Sequence, residues 1–435
     1  MYKRLSLYLV HISLNIPVFC QQGTQLFYKA NSDLTDVIIY DVFSPPVASR
    51  IYFYSAVAAY ETILRAHEKS PFTSLCNQLN QLRALPMPLV KVDPTIAGIS
   101  AFYNTAIHYV FSESTLKNSF AKTLSAFNKI KNERPEIYHQ SLNYGKQISD
   151  SIFEWSKKDN YADTRKLSRY RFLKLPGKWT PTPPAYIAAV EPYWGKIRTA
   201  VSQSLNTCTI DRPLSYSTNI SSDFYHQAKE VYDVSKNLSA EQKTIANFWD
   251  CNPFNVNTNG HLMFATKKLS PGAHWMNIVT ICCKKQHADL LTAIAAYTLT
   301  AIAIYDGFIN CWAEKYKDNL IRPETYINAN IDASWRPILQ TPPFPEYPSG
   351  HSVISAAAAT VLTDFFGKYF SFDDDTEIIY GLPVRHFNSF LAAANEAAIS
   401  RLYGGIHFRA AIENGKQLGK KTGDYVLKNI HIRSQ

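Results

Sequence analysis

LLTAIAAYTLTAIAIY, residues 290–305, is the most apolar stretch away from the N-terminus, and its reading decides the fold. Its 16 residues include Thr292, Thr298 and Thr300, and they fall short of the about 20 needed to cross a bilayer. No comparable stretch follows or precedes it beyond the N-terminal segment, so it reads as a buried core helix and a multi-span membrane protein is excluded. Around it helical periodicity recurs at 36–42, at 48–64 set off by Pro45 and Pro46, at 116–129, 135–155 and 239–249. Ser239 and Gln242 form a capping box for the last of these. The pattern resumes at 285–317, 351–366, 387–403 and 408–427. Alternation of period two is hard to find. With only 16 glycines in 435 residues, a β architecture with glycine corners is disfavoured. The fold class is therefore all-α. Between the two helical halves, residues 172–193 carry Pro176, Pro181, Pro183, Pro184 and Pro192, too many for a helix interior or a central strand, and predict an extended loop.

Hydrophobic residues make up 46% and charged residues 18%, which excludes disordered and fibrous classes. Lysine and arginine number 45 against 35 acidic residues, a formal charge of +10. They are scattered, with no run longer than a pair, so no nucleic-acid stripe is present. Such a balance fits either attraction of small anions or a merely solvated basic surface. Lys3 and Arg4 precede an apolar run at 5–19, the layout of a secretory signal, with cleavage expected after Cys20. Export to the periplasm or the extracellular space follows. Six cysteines would remain, none in a CxxC pair, so neither a zinc cluster nor a thioredoxin-like motif is suggested by spacing. Disulfides are open in an oxidising compartment, though their pairing is not readable.

Three segments concentrate oxyanion-binding residues at helix ends. In the first, Lys315 lies near the end of a helix and Pro323 forbids helical geometry at Arg322, so the chain turns and can bring both cations together. Taken alone, such a pair is more often surface charge. The second, PPFPEYPSGH at 342–351, places Ser349, Gly350 and His351 at a helix mouth, where free N–H groups and a hydroxyl suit an anion. The plainer reading is a Ser349 N-cap with an exposed His351. In the third, SRLYGGIH at 400–407, Gly404 and Gly405 turn the chain between helices so that Arg401 and His407 can face one cavity. Separately they would be an ion-paired arginine and a core histidine.

Together these residues resemble the vanadium-dependent haloperoxidase and type 2 phosphatidic acid phosphatase superfamily. Its three signature segments correspond to Lys315 with Arg322 and Pro323, to Pro348–Ser349–Gly350–His351, and to Ser400 and Arg401 with His407. The resemblance is strongest over 249–415, where Pro271, Gly272, His274 and Trp275 look like the secreted bacterial haloperoxidase-like branch. It implies an all-helical bundle with the anion between helices. The implied organisation is a signal peptide at 1–20, an N-terminal helical region at 21–200 and a catalytic bundle at 201–435. By position, Lys315, Arg322 and Arg401 would balance a bound vanadate or phosphate, Ser349 and the Gly350 amide would hydrogen-bond it, His407 would be the vanadium ligand or the nucleophile, and His351 the acid–base. Trp312 and Phe344 resemble aromatics lining the halide side, or are core packing. One departure stands out. Where many members carry an Asp four residues after the second histidine, this chain has Ala411, so a backbone carbonyl, a water or another carboxylate must fix the His407 ring.

The same pocket supports two chemistries. With vanadate as cofactor it oxidises halide with hydrogen peroxide; without a cofactor it hydrolyses a phosphate ester through a phosphohistidine. The absence of membrane spans disfavours the integral lipid phosphatases but leaves soluble acid phosphatases open. A non-catalytic secreted binding protein is the third reading, with Ala411 its only support.

Overall fold

The computed structural model describes residues 18–433 apart from 68–69, 254 and 260–261, and of 18–21 and 256–266 the backbone alone; the side chains of the expected leader lie outside the described residues. The main helices of the first half are α1 (Val18–Tyr40), α2 (Pro45–Ala66), α3 (Pro94–Ile107), α4 (Glu113–Leu124) and α5 (Pro135–Ser156). Those of the second half are α6 (Asp223–Lys236), α7 (Ala240–Phe248), α8 (Pro271–Lys285), α9 (Leu290–Asp318), α10 (Pro323–Asn330), α11 (Gly350–Phe366), α12 (Phe390–Tyr403) and α13 (Arg409–Asn429). Two short antiparallel pairs complete the set: β1 (Asn255–Asn259) with β2 (Leu262–Thr266), and β3 (Phe372–Asp374) with β4 (Arg385–Phe387).

The apolar run at 290–305 belongs to α9, which packs against α2, α11 and α13. The Asp289 carboxylate accepts from the Thr292 amide at 2.7 Å and starts this helix; Asn319, left-handed at φ 51°, ends it. Two expectations are corrected here. The helix does not begin at Lys285, which closes α8, because His287 takes a left-handed turn between them. Its far end falls at Asp318, one residue beyond the expected 317, but the helix as a whole is 29 residues long, enough to cross a membrane by length, and its most apolar part is buried in protein. Burial, rather than shortness, identifies it as the core helix.

Boundaries elsewhere shift for local reasons. Pro45 and Pro46 lie inside the first turn of α2, where a missing N–H costs nothing. The helix expected at 116–129 breaks after Leu124 into a tighter turn, Ser125–Phe127. Phe387 ends β4, and α12 starts only after its N-cap, Ser389. The capping box of Ser239 and Gln242 is formed. The helices α3, α6, α8 and α10 went unread, and α1 was read only from residue 36; α3 is buried on nearly every side, which erases periodicity. The proline-rich segment is an irregular strap over α9, where the Val190 carbonyl accepts from Trp312 Nε1 at 3.1 Å and from the Tyr316 hydroxyl at 2.7 Å.

The contact that positions the site is that of α13 on α11. A Cβ on Gly415 would stand 2.9 Å from the Ser349 carbonyl oxygen, one on Gly419 2.1 Å from that of Val353, and one on Gly423 3.0 Å from that of Ala357. Only glycine permits this approach of two backbones.

Candidate active site

The three segments converge on one pocket lined by Trp312, Phe344, Gly350, His351, Arg401 and His407. Lys315 and Arg322 stand directly behind this lining. Lys315, fully buried on the last turn of α9, donates Nζ to the carbonyls of Pro345 (2.9 Å), Glu346 (3.1 Å) and Pro348 (2.5 Å). Arg322, N-capping α10, donates to the carbonyls of Phe344 and Ile406, each at 2.9 Å, and to His407 Nε2 at 3.2 Å. Arg401 donates from Nη2 to the Trp249 carbonyl at 2.7 Å and from Nε to Ser400 Oγ at 2.9 Å. Among the described residues no carboxylate lies within ion-pair distance of any of the three. Burial pushes the Lys315 ammonium down to about 7 and the Arg322 guanidinium down to about 10, and it lowers Arg401 as well.

Ser349 caps α11, its Oγ accepting from the Ser352 amide at 3.4 Å, while its own amide donates to the Ala411 carbonyl at 3.0 Å. Capping uses only a lone pair, so the Ser349 O–H stays available to an oxyanion. The N-cap reading and the anion reading are thus compatible. A Cβ added to Gly350 would meet Trp312 at 3.6 Å, filling the cradle at the helix mouth. His351 is partly buried; its Nε2 is fully covered and has no hydrogen-bond partner, while the ring hydrogen-bonds the Trp249 backbone.

His407 receives its orientation from a residue the sequence reading did not assign. Its Nδ1 lies 2.9 Å from Glu346 Oε1, which also accepts from the Phe408 amide at 2.9 Å. An arginine N–H can only donate, so the bond from Arg322 makes Nε2 the acceptor and places the ring proton on Nδ1, toward Glu346. Glu346 therefore does from 61 positions upstream what the absent side chain at Ala411 would do. Burial raises its carboxyl to about 7. Burial and the surrounding cations, Arg322 first, hold His407 well below the usual histidine range, and burial with Arg401 does the same to His351. Both rings are neutral near pH 7.

Trp312 and Phe344 line the pocket and are also core residues. Their rings lie 5.0 Å apart, and Lys315 Nζ and Arg322 Cζ each stand 5.1 Å from the Phe344 ring centre. The opposite wall, which the sequence reading missed, comes from Asp250, Cys251, Asn252 and Gln340. No spacing rule ties these to the three segments. All described cysteines are free thiols.

The donor set fits a tetrahedral oxyanion: three buried cations short of counter-charge, a hydroxyl at a helix mouth, an orphaned His351 Nε2 and an unprotonated His407 Nε2. In a search of curated protein sequences nothing matches. A family model, the second helical-bundle domain of vanadium chloroperoxidase, matches residues 295–433. Among solved structures, the crystal structure of the first bacterial vanadium-dependent iodoperoxidase is 45% identical, with TM-score 0.88, over 95% of this chain and 98% of that one. Two bacterial vanadium-dependent chloroperoxidase structures, holo-type and apo-type, share the fold at 15% identity, with TM-scores of 0.68 and 0.66 over 89% of this chain and 93% and 95% of theirs. With a cation cradle at the mouth of α11 and a near-full-length likeness of this strength, the chain belongs to the vanadium-dependent haloperoxidase family.

Proposed function

We propose that the chain oxidises iodide with hydrogen peroxide, using vanadate held among Lys315, Arg322 and Arg401. The observation that carries this is the set of three buried cations without an ion-paired carboxylate, grouped around a histidine whose unprotonated Nε2 accepts from one of them, Arg322. Likeness to a bacterial iodoperoxidase supports iodide as the halide. When bound, vanadate supplies a Lewis-acidic centre that activates peroxide for two-electron halide oxidation.

The chain's own residues do the rest. The three cations balance the charge of the anion, and their geometry costs no reorganisation because backbone carbonyls already hold them in place. Ser349 Oγ–H and the Gly350 amide hydrogen-bond its oxygens. Glu346 keeps the His407 proton on Nδ1 and so keeps Nε2 as the ligand atom. His351 takes a proton from peroxide at its partnerless Nε2 and returns it to the departing water. The net change is iodide, hydrogen peroxide and one proton giving hypoiodous acid and water. Trp312 and Phe344 offer a polarisable, apolar wall suited to a large, weakly hydrated halide. A second cavity of about 450 Å³ shares Asp250 and Gln340 with the pocket. The charged-then-apolar N-terminus supports export of the enzyme.

The test is reconstitution with vanadate, followed by iodide and bromide oxidation with peroxide, beside hydrolysis of a phosphate ester by vanadate-free protein. Iodide oxidation that requires both vanadate and peroxide is expected. Ester hydrolysis without any vanadate-dependent oxidation assigns the phosphatase chemistry instead, and neither activity assigns a binding protein.

A further inference from the structure

Behind the Asp250–Asn252 wall lies a second group of buried polar side chains that the chemistry above does not use. His274, in the first turns of α8, places Nδ1 3.5 Å from Cys251 Sγ and 3.3 Å from Glu377 Oε1. These three ligand atoms all lie within 4.8 Å of one another, and the residues are buried. A tetrahedral zinc ion with Zn–N and Zn–O near 2.0–2.2 Å and Zn–S near 2.3 Å has neighbouring ligand atoms about 3.3–3.6 Å apart. Both measured edges fall in that range.

Two further features point to a ligand. Glu377 is 1% exposed, yet its Oε1, the oxygen facing the ring, has no hydrogen-bond partner. The other ring nitrogen, Nε2, meets Asp374 Oδ2 at 2.7 Å, and Asp374 is in turn fixed by the Thr376 amide at 3.1 Å. A carboxylate on the far nitrogen is what orients a metal-bound histidine and leaves its near nitrogen as a lone pair. Trp249 stacks on the ring, 4.6 Å between centres, and closes one side.

We propose that Cys251, His274 and Glu377 bind one divalent cation, zinc by the donor set of thiolate, imidazole and carboxylate, with a water in the fourth position. On binding, the Cys251 sulfur gives its proton to solvent and bonds the metal; nothing is oxidised or reduced. The ion ties together three stretches: the turn after α7, the start of α8 and the loop after β3. The first matters to the anion site, because the Trp249 carbonyl accepts from Arg401 and the Trp249 backbone hydrogen-bonds His351. The three are positioning residues for that wall, of which Cys251 is itself part, and zinc binding there does not depend on the vanadate reading.

The test uses full-length, untagged, vanadium-free protein. After equilibration with zinc and removal of the free ion, elemental analysis is expected to find one zinc per chain, and cobalt in its place gives a thiolate-to-metal charge-transfer band. Cys251→Ser, nearly isosteric, abolishes that band and weakens zinc binding at least tenfold; Glu377→Gln also weakens it at least tenfold, with both variants retaining the helical circular-dichroism spectrum. The inference is overturned if wild-type protein takes up no stoichiometric zinc and melts at the same temperature with and without it, the behaviour of an imidazolium simply paired with two carboxylates. It is equally overturned if zinc binding survives unchanged in both variants.

Discussion

Two buried cationic centres in this molecule differ in how their charge is met. In the N-terminal half, Arg50 Nε lies 2.6 Å from Asp159 Oδ2 and its guanidinium sits 4.5–5.0 Å from the rings of Tyr54, Tyr109 and Tyr161. Burial opposes its charge, but Asp159 and the rings more than offset it, and its pKa is raised. In the C-terminal half, Lys315, Arg322 and Arg401 are as deeply buried and are met chiefly by carbonyl oxygens, and their pKa values fall. A buried cation with an internal counter-ion completes a structure. Three without one need their counter-charge from outside, which is what an oxyanion site requires.

The largest expected effect strikes the unpaired centre at its ligand atom. His407→Ala should reduce peroxide-dependent iodide oxidation to that of free vanadate; turnover retained at saturating vanadate would remove His407 from its role. Next, His351→Ala should slow turnover by the ~10²- to 10⁴-fold typical of a lost acid–base group while vanadate affinity changes little. Arg401→Ala should show the opposite emphasis, since it removes charge from the anion's surroundings. Calorimetry and saturated turnover on both variants separate the two, and equal losses of affinity would make His351 an anion ligand.

The comparison itself is tested by crossing the centres. Asp159→Asn strands Arg50 and should cost about 3–5 kcal/mol of stability in denaturant titration. Arg322→Met should abolish vanadate binding yet cost the anion-free protein less than Asp159→Asn does, because removal of an unpaired buried charge offsets the hydrogen bonds lost to Phe344, Ile406 and His407. Equal destabilisation by the two would erase the distinction between the centres. In the wild type, vanadate at 100 times its Kd should add about 2.7 kcal/mol, and inorganic phosphate should compete for the same gain. Arg322→Met should show neither effect.

The smallest effect is a pH slope. The folded pKa of Lys315, about 7, lies below that of an unfolded lysine. Between the two the unfolded chain binds more protons, so the anion-free protein gains stability as pH rises above about 7. Vanadate needs the charged ammonium, so its affinity falls over that same window, by up to about tenfold per pH unit. Lys315→Arg stays charged throughout. The ratio of wild-type to variant affinity, in which the protonation of vanadate itself cancels, should therefore fall with pH, and a flat ratio would show that Lys315 does not titrate there.

The all-α class and the three anion-binding segments were legible in the sequence for one reason: each segment is short and sits at a helix end marked by Pro, Ser or Gly, so local rules place its side chains. What escaped depended on long-range contact. Glu346 reads as one residue in a proline run, and only folding sets it beside His407. Cys251 and His274 are 23 positions apart, and Glu377 is farther still, with no spacing that a rule could catch. The far end of α9, which carries Lys315, was legible, whereas its start lies five residues later than the periodicity predicts, because no residue type in 285–289 announces the left-handed turn at His287.

The glycines of α13 make that helix a lever. Gly415 bears on Ser349 at the mouth of the cradle, and Gly423 bears on Thr360 and Ala357, about two turns and more along α11. A methyl group at the far end would prise the two helices apart about the near one as fulcrum and tilt the mouth without altering any residue that meets the anion. A genetic screen for inactive variants should therefore return Gly419 and Gly423 alongside the histidines, in protein that remains helical and soluble, and second-site revertants should be sought at Ala356 and Thr360, whose side chains meet the added methyl and can be trimmed to let the lever fall back.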